Sequence, residues 1–166
     1  MTERNVRPFF ILNPVAGGGR ARRSEPIIRE ALRSSGIKDP GFALTESPGH
    51  ATVLAREAGD NGFSPVVGIG GDGTMNEIAN GLLQASTRAP LAAIPVGTGN
   101  DFVRSLGLPR DVEEATRLAC SGAPAESIDV GRCGNRYFLN VGGLGFDAQV
   151  AQAVQRAPRW LRFGPL

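Results

Sequence analysis

The segment 70–77, GGDGTMNE, follows directly on the apolar run 65–69, PVVGI. Glycines after a buried strand let the backbone turn sharply and bring N–H groups close to a ligand, and the helix that follows aims its partial positive end at the same spot. Phosphate suits such a place. Asp72 puts a carboxylate where an anion is expected, which makes sense if a divalent cation or a substrate hydroxyl lies between the two. The alternative is a tight turn in which Asp72 caps the helix that follows it. A second glycine turn, 13–20 (NPVAGGGR), has Pro14 to fix the chain and three glycines whose amides can converge on an anion. Taken alone, it fits a plain strand-to-helix loop equally well. A third, 95–102 (PVGTGNDF), adds Thr98 and Asn100 as hydrogen-bonding groups and Asp101 as another carboxylate. Loops at the carboxyl ends of parallel strands open on one edge of a sheet, so the turns can share one ligand.

Two familiar phosphate devices are excluded. Residues 68–73 satisfy the GxGxxG spacing of dinucleotide-binding folds, but the acid needed about 20 positions later is missing, because 84–90 holds no carboxylate and includes Arg88. No glycine run leads into Lys-Ser or Lys-Thr, and the sole lysine, Lys38, lies in the loop-like stretch 36–41. Phosphates would therefore be held by backbone amides, hydroxyls, a metal and Arg.

The elements that must position these turns alternate as in an α/β domain: short apolar runs bounded by Gly or Pro, then amphipathic stretches. Strands are expected at 8–12, 42–45, 65–69 and 91–94. Helices are expected at about 20–35, with Ile27, Ile28, Ala31 and Leu32 inward, at 50–58, from just after the turn 70–73 to about residue 83, with Ile78, Ala79, Leu82 and Leu83 inward, and at 101–106 and 111–121. This predicts a mostly parallel sheet flanked by helices. After Pro124 the rhythm changes. Strand-like runs 127–130 and 137–141 flank a turn in which Cys133-Gly134-Asn135-Arg136 reads as a hairpin. They suggest two domains, 1–124 and 125–166, the second β-rich and only begun. A last helix is expected at 147–154, and the end of the chain reads as interrupted.

Composition sets the outer bounds. At 166 residues, 41% hydrophobic and 20% charged, the chain falls in the soluble globular range. Its net charge of +2 is spread without a dense basic run, which argues against nucleic acid as a partner. The apolar run 9–12 is far too short for a signal core or a membrane span, so a cytoplasmic protein is expected. Cys120 and Cys133 lack disulfide or metal-site spacing and read as reduced thiols. His50, the only histidine, reads as a helix-start residue, and Trp160, Leu161 and Phe163 as parts of a core.

In order along the chain, 13–19 (NPVAGGG), 45–51 (TESPGHA), 70–77 and 95–104 (PVGTGNDFVR) resemble the motif set of the diacylglycerol kinase catalytic domain, found in bacterial lipid kinases and in sphingosine and ceramide kinases. The later 128–131 (IDVG) and 140–150 (NVGGLGFDAQV) resemble the opening of that family's β-sandwich domain. GGDGT by itself is shared with NAD kinases and phosphofructokinases; GTGNDF beside it narrows the choice. The resemblance implies a phosphofructokinase/NAD kinase-like N-terminal domain, ATP and Mg²⁺, a lipid hydroxyl at a membrane surface as acceptor, and a protein without a transmembrane segment. By position it implies ATP contacts at Asn13, Pro14, Val15, Ala16, Gly17, Thr45, Gly71, Asp72, Gly73, Thr74, Met75, Asn76, Glu77 and Thr98. It implies an acidic network of Asp72, Asp101 and Asp129 around Mg²⁺, and Asp147 at the lipid head group. Asp72 matches the base of the sphingosine branch, whereas bacterial members use a Glu of the second domain, expected beyond Leu166. The rival readings are an NAD kinase-like enzyme and a non-catalytic nucleotide-binding fragment.

Overall fold

A computed structural model describes residues 6–37 and 39–140 of the chain. Its elements in order are β1 (Phe9–Leu12), α1 (Ala16–Ser34), β2 (Gly41–Leu44), α2 (His50–Asp60), β3 (Val66–Gly70), α3 (Asp72–Leu82), β4 (Leu91–Pro95), α4 (Asp101–Ser105), α5 (Val112–Cys120), β5 (Gly131–Cys133) and β6 (Arg136–Phe138). The first four strands form one parallel sheet in the order β2-β1-β3-β4, and β5 and β6 form a separate antiparallel hairpin.

Alternation along the strands divides the core into two layers. Phe10, Leu12, Val67, Ile69 and Ile94 face Ala21, Ile28 and Leu32 of α1 and Ala115 and Ala119 of α5. Ile11 and Val66 face the other way, onto Ala51, Ala55 and Ala58 of α2 and Ile78 of α3. Each large side chain buried here contributes about 1.5–3 kcal/mol relative to exposure. β3 is central and buried at every position, as expected of a parallel strand covered on both faces.

The helix predicted from Arg20 is regular from that residue, but the helical segment reaches back to Ala16 across Gly17, Gly18 and Gly19, whose φ angles of 58°, 67° and 87° are left-handed. Two expected core residues are outside. Ile27 is 49% exposed because the buried stripe of α1 runs through Ala21, Ser24, Ile28, Ala31 and Leu32, and Leu83 is 47% exposed because it lies one residue past the end of α3.

The predicted hairpin turn is present, with Cys133 paired to Arg136 across Gly134 and Asn135. The strand expected at 127–130 is not formed. β6 is three residues long, so a two-residue turn pairs it with Gly131–Cys133, and the preceding stretch is left without a partner. The expected helix at 147–154, Asp147 itself, Trp160, Leu161, Phe163 and Lys38 lie outside the described residues.

Candidate functional site

The glycine turn after β1, the start of α3 and the turn after β4 meet at the carboxyl edge of the sheet, where they line one cavity of about 620 Å³. Asn13, Pro14, Val15, Ala16, Gly17, Thr45, Gly71, Asp72, Gly73, Thr74, Glu77 and Thr98 all contribute to its wall. Most of the residues expected to touch a nucleotide are therefore brought together. Pro14, Val15, Pro48 and Ala51 supply apolar surface; Glu46 and Ser47 complete the wall on the β2 side.

Close backbone contact makes this convergence possible. A Cβ on Gly97 would stand 2.5 Å from the Gly71 Cα, so the turns before α3 and α4 touch with no room for a side chain. A Cβ on Gly17 would stand 2.0 Å from the Val96 carbonyl oxygen, and its φ of 58° is one that L side chains rarely adopt. Arg20 adds a clamp: Nε donates to the Gly17 carbonyl at 3.2 Å and Nη2 to the Gly97 carbonyl at 2.9 Å. Asn13 Nδ2 donates to Thr74 Oγ1 at 3.0 Å, fixing the first turn to α3.

α3 begins with Gly71 at its N-cap and no side-chain cap bond. The first-turn amides face their end of the helix free of a carboxylate or hydroxyl acceptor, as a phosphate site requires. Asp72 does not cap its own helix. Its Oδ1 accepts from the Phe102 amide at 2.9 Å, so it caps the first turn of α4, and also accepts from Asn140 Nδ2 at 3.4 Å. Its Oδ2 and the Oδ2 of Asp101 flank Gly99, lying 3.1 and 3.7 Å from where a Cβ on that glycine would be. Asp101 also pairs with Arg104.

Two carboxylates beside a phosphate-sized glycine cradle fit Mg²⁺, a hard ion that takes one or two carboxylates plus phosphate and water oxygens. Among the described residues, no group of three His, Cys, Asp or Glu side chains could hold an ion. Asp129 is exposed in the stretch between α5 and β5 and does not join Asp72 and Asp101 in such a group.

Met75 and Asn76 do not line the cavity. Met75 is 1% exposed, and its Sδ and Cε reach the notch over Gly68 of β3. Asn76 turns toward the hairpin, where its Oδ1 accepts from the Leu139 amide at 3.3 Å. His50 begins α2, as expected, and its Nδ1 accepts from the Glu46 amide at 3.1 Å. Arg20 and Asn140 were not singled out from sequence; Arg20 carried a signal, being the first residue after the glycine run.

Comparison with known proteins agrees with this arrangement. Residues 7–133 match the diacylglycerol kinase catalytic domain. A Chromohalobacter salexigens protein named "Probable lipid kinase YegS-like" is 40% identical over 135 residues, covering 78% of this chain and 42% of that protein. A diacylglycerol kinase of Staphylococcus aureus is 35% identical over 156 residues, covering 94% and 48%. The chain thus spans about half the length of these curated relatives. The crystal structure of a diacylglycerol kinase from Bacillus anthracis superposes with a TM-score of 0.71 at 34% identity, over 81% of this chain and 48% of that one. The chain belongs to the diacylglycerol kinase catalytic domain family.

Proposed function

We propose that this chain forms the nucleotide side of a lipid kinase that moves the γ-phosphoryl group of ATP to a hydroxyl of diacylglycerol or a sphingoid-type lipid. The supporting observation is the single cavity in which Gly17, Gly73, Thr98 and Thr45 meet beside the carboxylate pair Asp72 and Asp101. Backbone amides at the start of α3 and in the glycine turns bind the phosphates, and Pro14, Val15, Pro48 and Ala51 suit the flat apolar base. Mg²⁺, held by Asp72 and Asp101, would neutralise charge developing on the phosphate oxygens.

In the transfer, the lipid hydroxyl oxygen forms the new bond to the γ-phosphorus as the bond to the ADP oxygen breaks. The hydroxyl proton leaves to a base, a role assigned to Asp72 on its motif position alone. Asp147, matched by motif alone, is assigned to the lipid head group. Among the described residues no helix is long and apolar enough to cross a membrane. ATP as donor and a lipid as acceptor put the protein's work at the cytoplasmic face of a membrane.

Titration calorimetry with Mg-ATP tests the nucleotide side, and phosphorylation of dispersed short-chain diacylglycerol against NAD by the complete gene product tests the acceptor. Saturable ATP binding and a phosphorylated lipid are expected. No binding at millimolar nucleotide, or transfer to NAD alone, overturns the proposal.

A further inference from the structure

The hairpin β5–β6 is stapled to α3 by a row of asparagines. In a two-residue hairpin the pair next to the turn, Cys133 and Arg136, faces inward, which leaves the N–H and C=O of Tyr137 on the free edge of β6. Asn80 takes both: its Oδ1 accepts from the Tyr137 amide at 2.9 Å and its Nδ2 donates to the Tyr137 carbonyl at 2.8 Å. One helical turn back, Asn76 Oδ1 accepts from the next free-edge amide, Leu139. The steps match, since four helical residues rise about 6 Å and two strand residues about 6.7 Å. A further turn back stands Asp72, and there Asn140 Nδ2 donates to its Oδ1. Asp72, Asn76 and Asn80 thus form a stripe along which segment 137–140 runs antiparallel to α3.

This gives Asp72 an asymmetric carboxylate. Oδ1 is occupied by the Phe102 amide and by Asn140, while Oδ2 is turned toward Gly99 and Asp101. We infer that Asn140, delivered by the Asn76 and Asn80 clasp, is a positioning residue that fixes which Asp72 oxygen faces the cation of bound Mg-ATP. The inference rests on the nucleotide reading above. It adds that the segment after the hairpin is coupled to the metal side of the site through α3.

The experiment is ATP titration of this chain at a series of Mg²⁺ concentrations and in EDTA, with Asn140→Ala and Asn80→Ala beside the wild type. Groups that orient a ligand carboxylate change metal affinity by about 10-fold or more when removed. Asn140→Ala should raise the Mg²⁺ concentration for half-maximal ATP binding about 10-fold, leaving the EDTA affinity and the melting temperature as they were. A merely structural residue would weaken both affinities together. Asn80→Ala should show the same Mg²⁺ shift with a lower melting temperature; if it fails to fold, Asn76→Ala replaces it. An unchanged Mg²⁺ midpoint in Asn140→Ala, with normal ATP binding by the wild type, overturns the inference and leaves the site intact. Wild type that binds no ATP under any condition overturns both.

Discussion

Gly71 and Gly97 touch backbone to backbone, the virtual Cβ of Gly97 being 2.5 Å from the Gly71 Cα. This contact joins the turns after β3 and β4, and through it Asp72 at the start of α3 and Thr98 and Gly99 of the later turn come to share a cavity wall. Parallel pairing of Ile69 with Ile94 and of Gly70 with Pro95 brings both strands to the edge in register. The glycines then let the loops close on each other instead of splaying apart.

The same turns separate stability from binding. Gly97→Ala forces a methyl into backbone and should cost about 1–3 kcal/mol. Gly73 is different: a Cβ there meets nothing within 4 Å, and the residue lies in the first turn of α3 on the cavity wall. Gly73→Ala should be at least as stable as wild type, with a gain of up to about 0.5–1 kcal/mol from backbone entropy. Its methyl nonetheless stands where phosphate would approach, and ATP affinity should fall at least about 10-fold, or about 1.4 kcal/mol. Urea unfolding and calorimetry on the two variants check this, and a Gly73→Ala protein that binds ATP normally refutes it.

Much of this was legible beforehand because the signals are local. Each glycine turn announces itself next to an apolar run, and parallel topology sends all such turns to one edge, so the meeting of Asn13, Thr45, Gly73 and Thr98 follows from pattern plus geometry. Side-chain direction along α3 was not legible in the same way. A motif names consecutive residues, whereas a helix turns 100° per residue. GGDGTMNE therefore splits, with Thr74 and Glu77 on the cavity, Met75 in the core and Asn76 on the hairpin. The role of Asp72 as a cap for α4 depends on contact across 30 residues, which no local signal carries.

Met75 accordingly acts through packing. With 1% exposure and its sulfur seated over Gly68, truncation to Ala should cost about 2–5 kcal/mol, while Met75→Leu should cost under about 1.5 kcal/mol. Nucleotide affinity measured on the folded protein should be retained in both. A Met75→Leu protein of normal stability that has lost ATP binding would return Met75 to the site.

The two thiols should differ sharply in reactivity. Burial pushes the Cys120 thiol from 9.0 up to about 11, whereas Cys133 is exposed on β5. A thiol reagent at pH 8 should modify Cys133 at once and Cys120 only on unfolding. The folded-state value lies above the unfolded one, so the unfolded chain loses this proton first as pH rises. The contribution to stability is complete below pH 9.0 and is lost between there and about 11. Cys120→Ala should flatten that part of the stability profile, and equal labelling of both thiols in the folded protein contradicts the assignment.

Arg20 clamps its own glycine turn to Gly97, 77 residues further along the chain, and the form of its side chain decides how it does so. Its guanidinium reaches the Gly17 and Gly97 carbonyls with separate nitrogens, Nε and Nη2, a fork that a lysine ammonium does not reproduce. Arg20 is exposed, so each bond should be worth about 0.5–1.5 kcal/mol. Arg20→Ala should lower stability by about 1–2 kcal/mol and, by loosening the first turn from the third, weaken ATP binding about 5–10-fold. The alternative is that Arg20 matters only as a positive charge near the phosphates. Arg20→Lys separates the two: it keeps the charge and loses the fork. If the clamp is what matters, lysine should resemble alanine in both stability and affinity, with little dependence on added salt. Wild-type affinity in the lysine variant, fading as salt is raised, would make the role one of long-range charge.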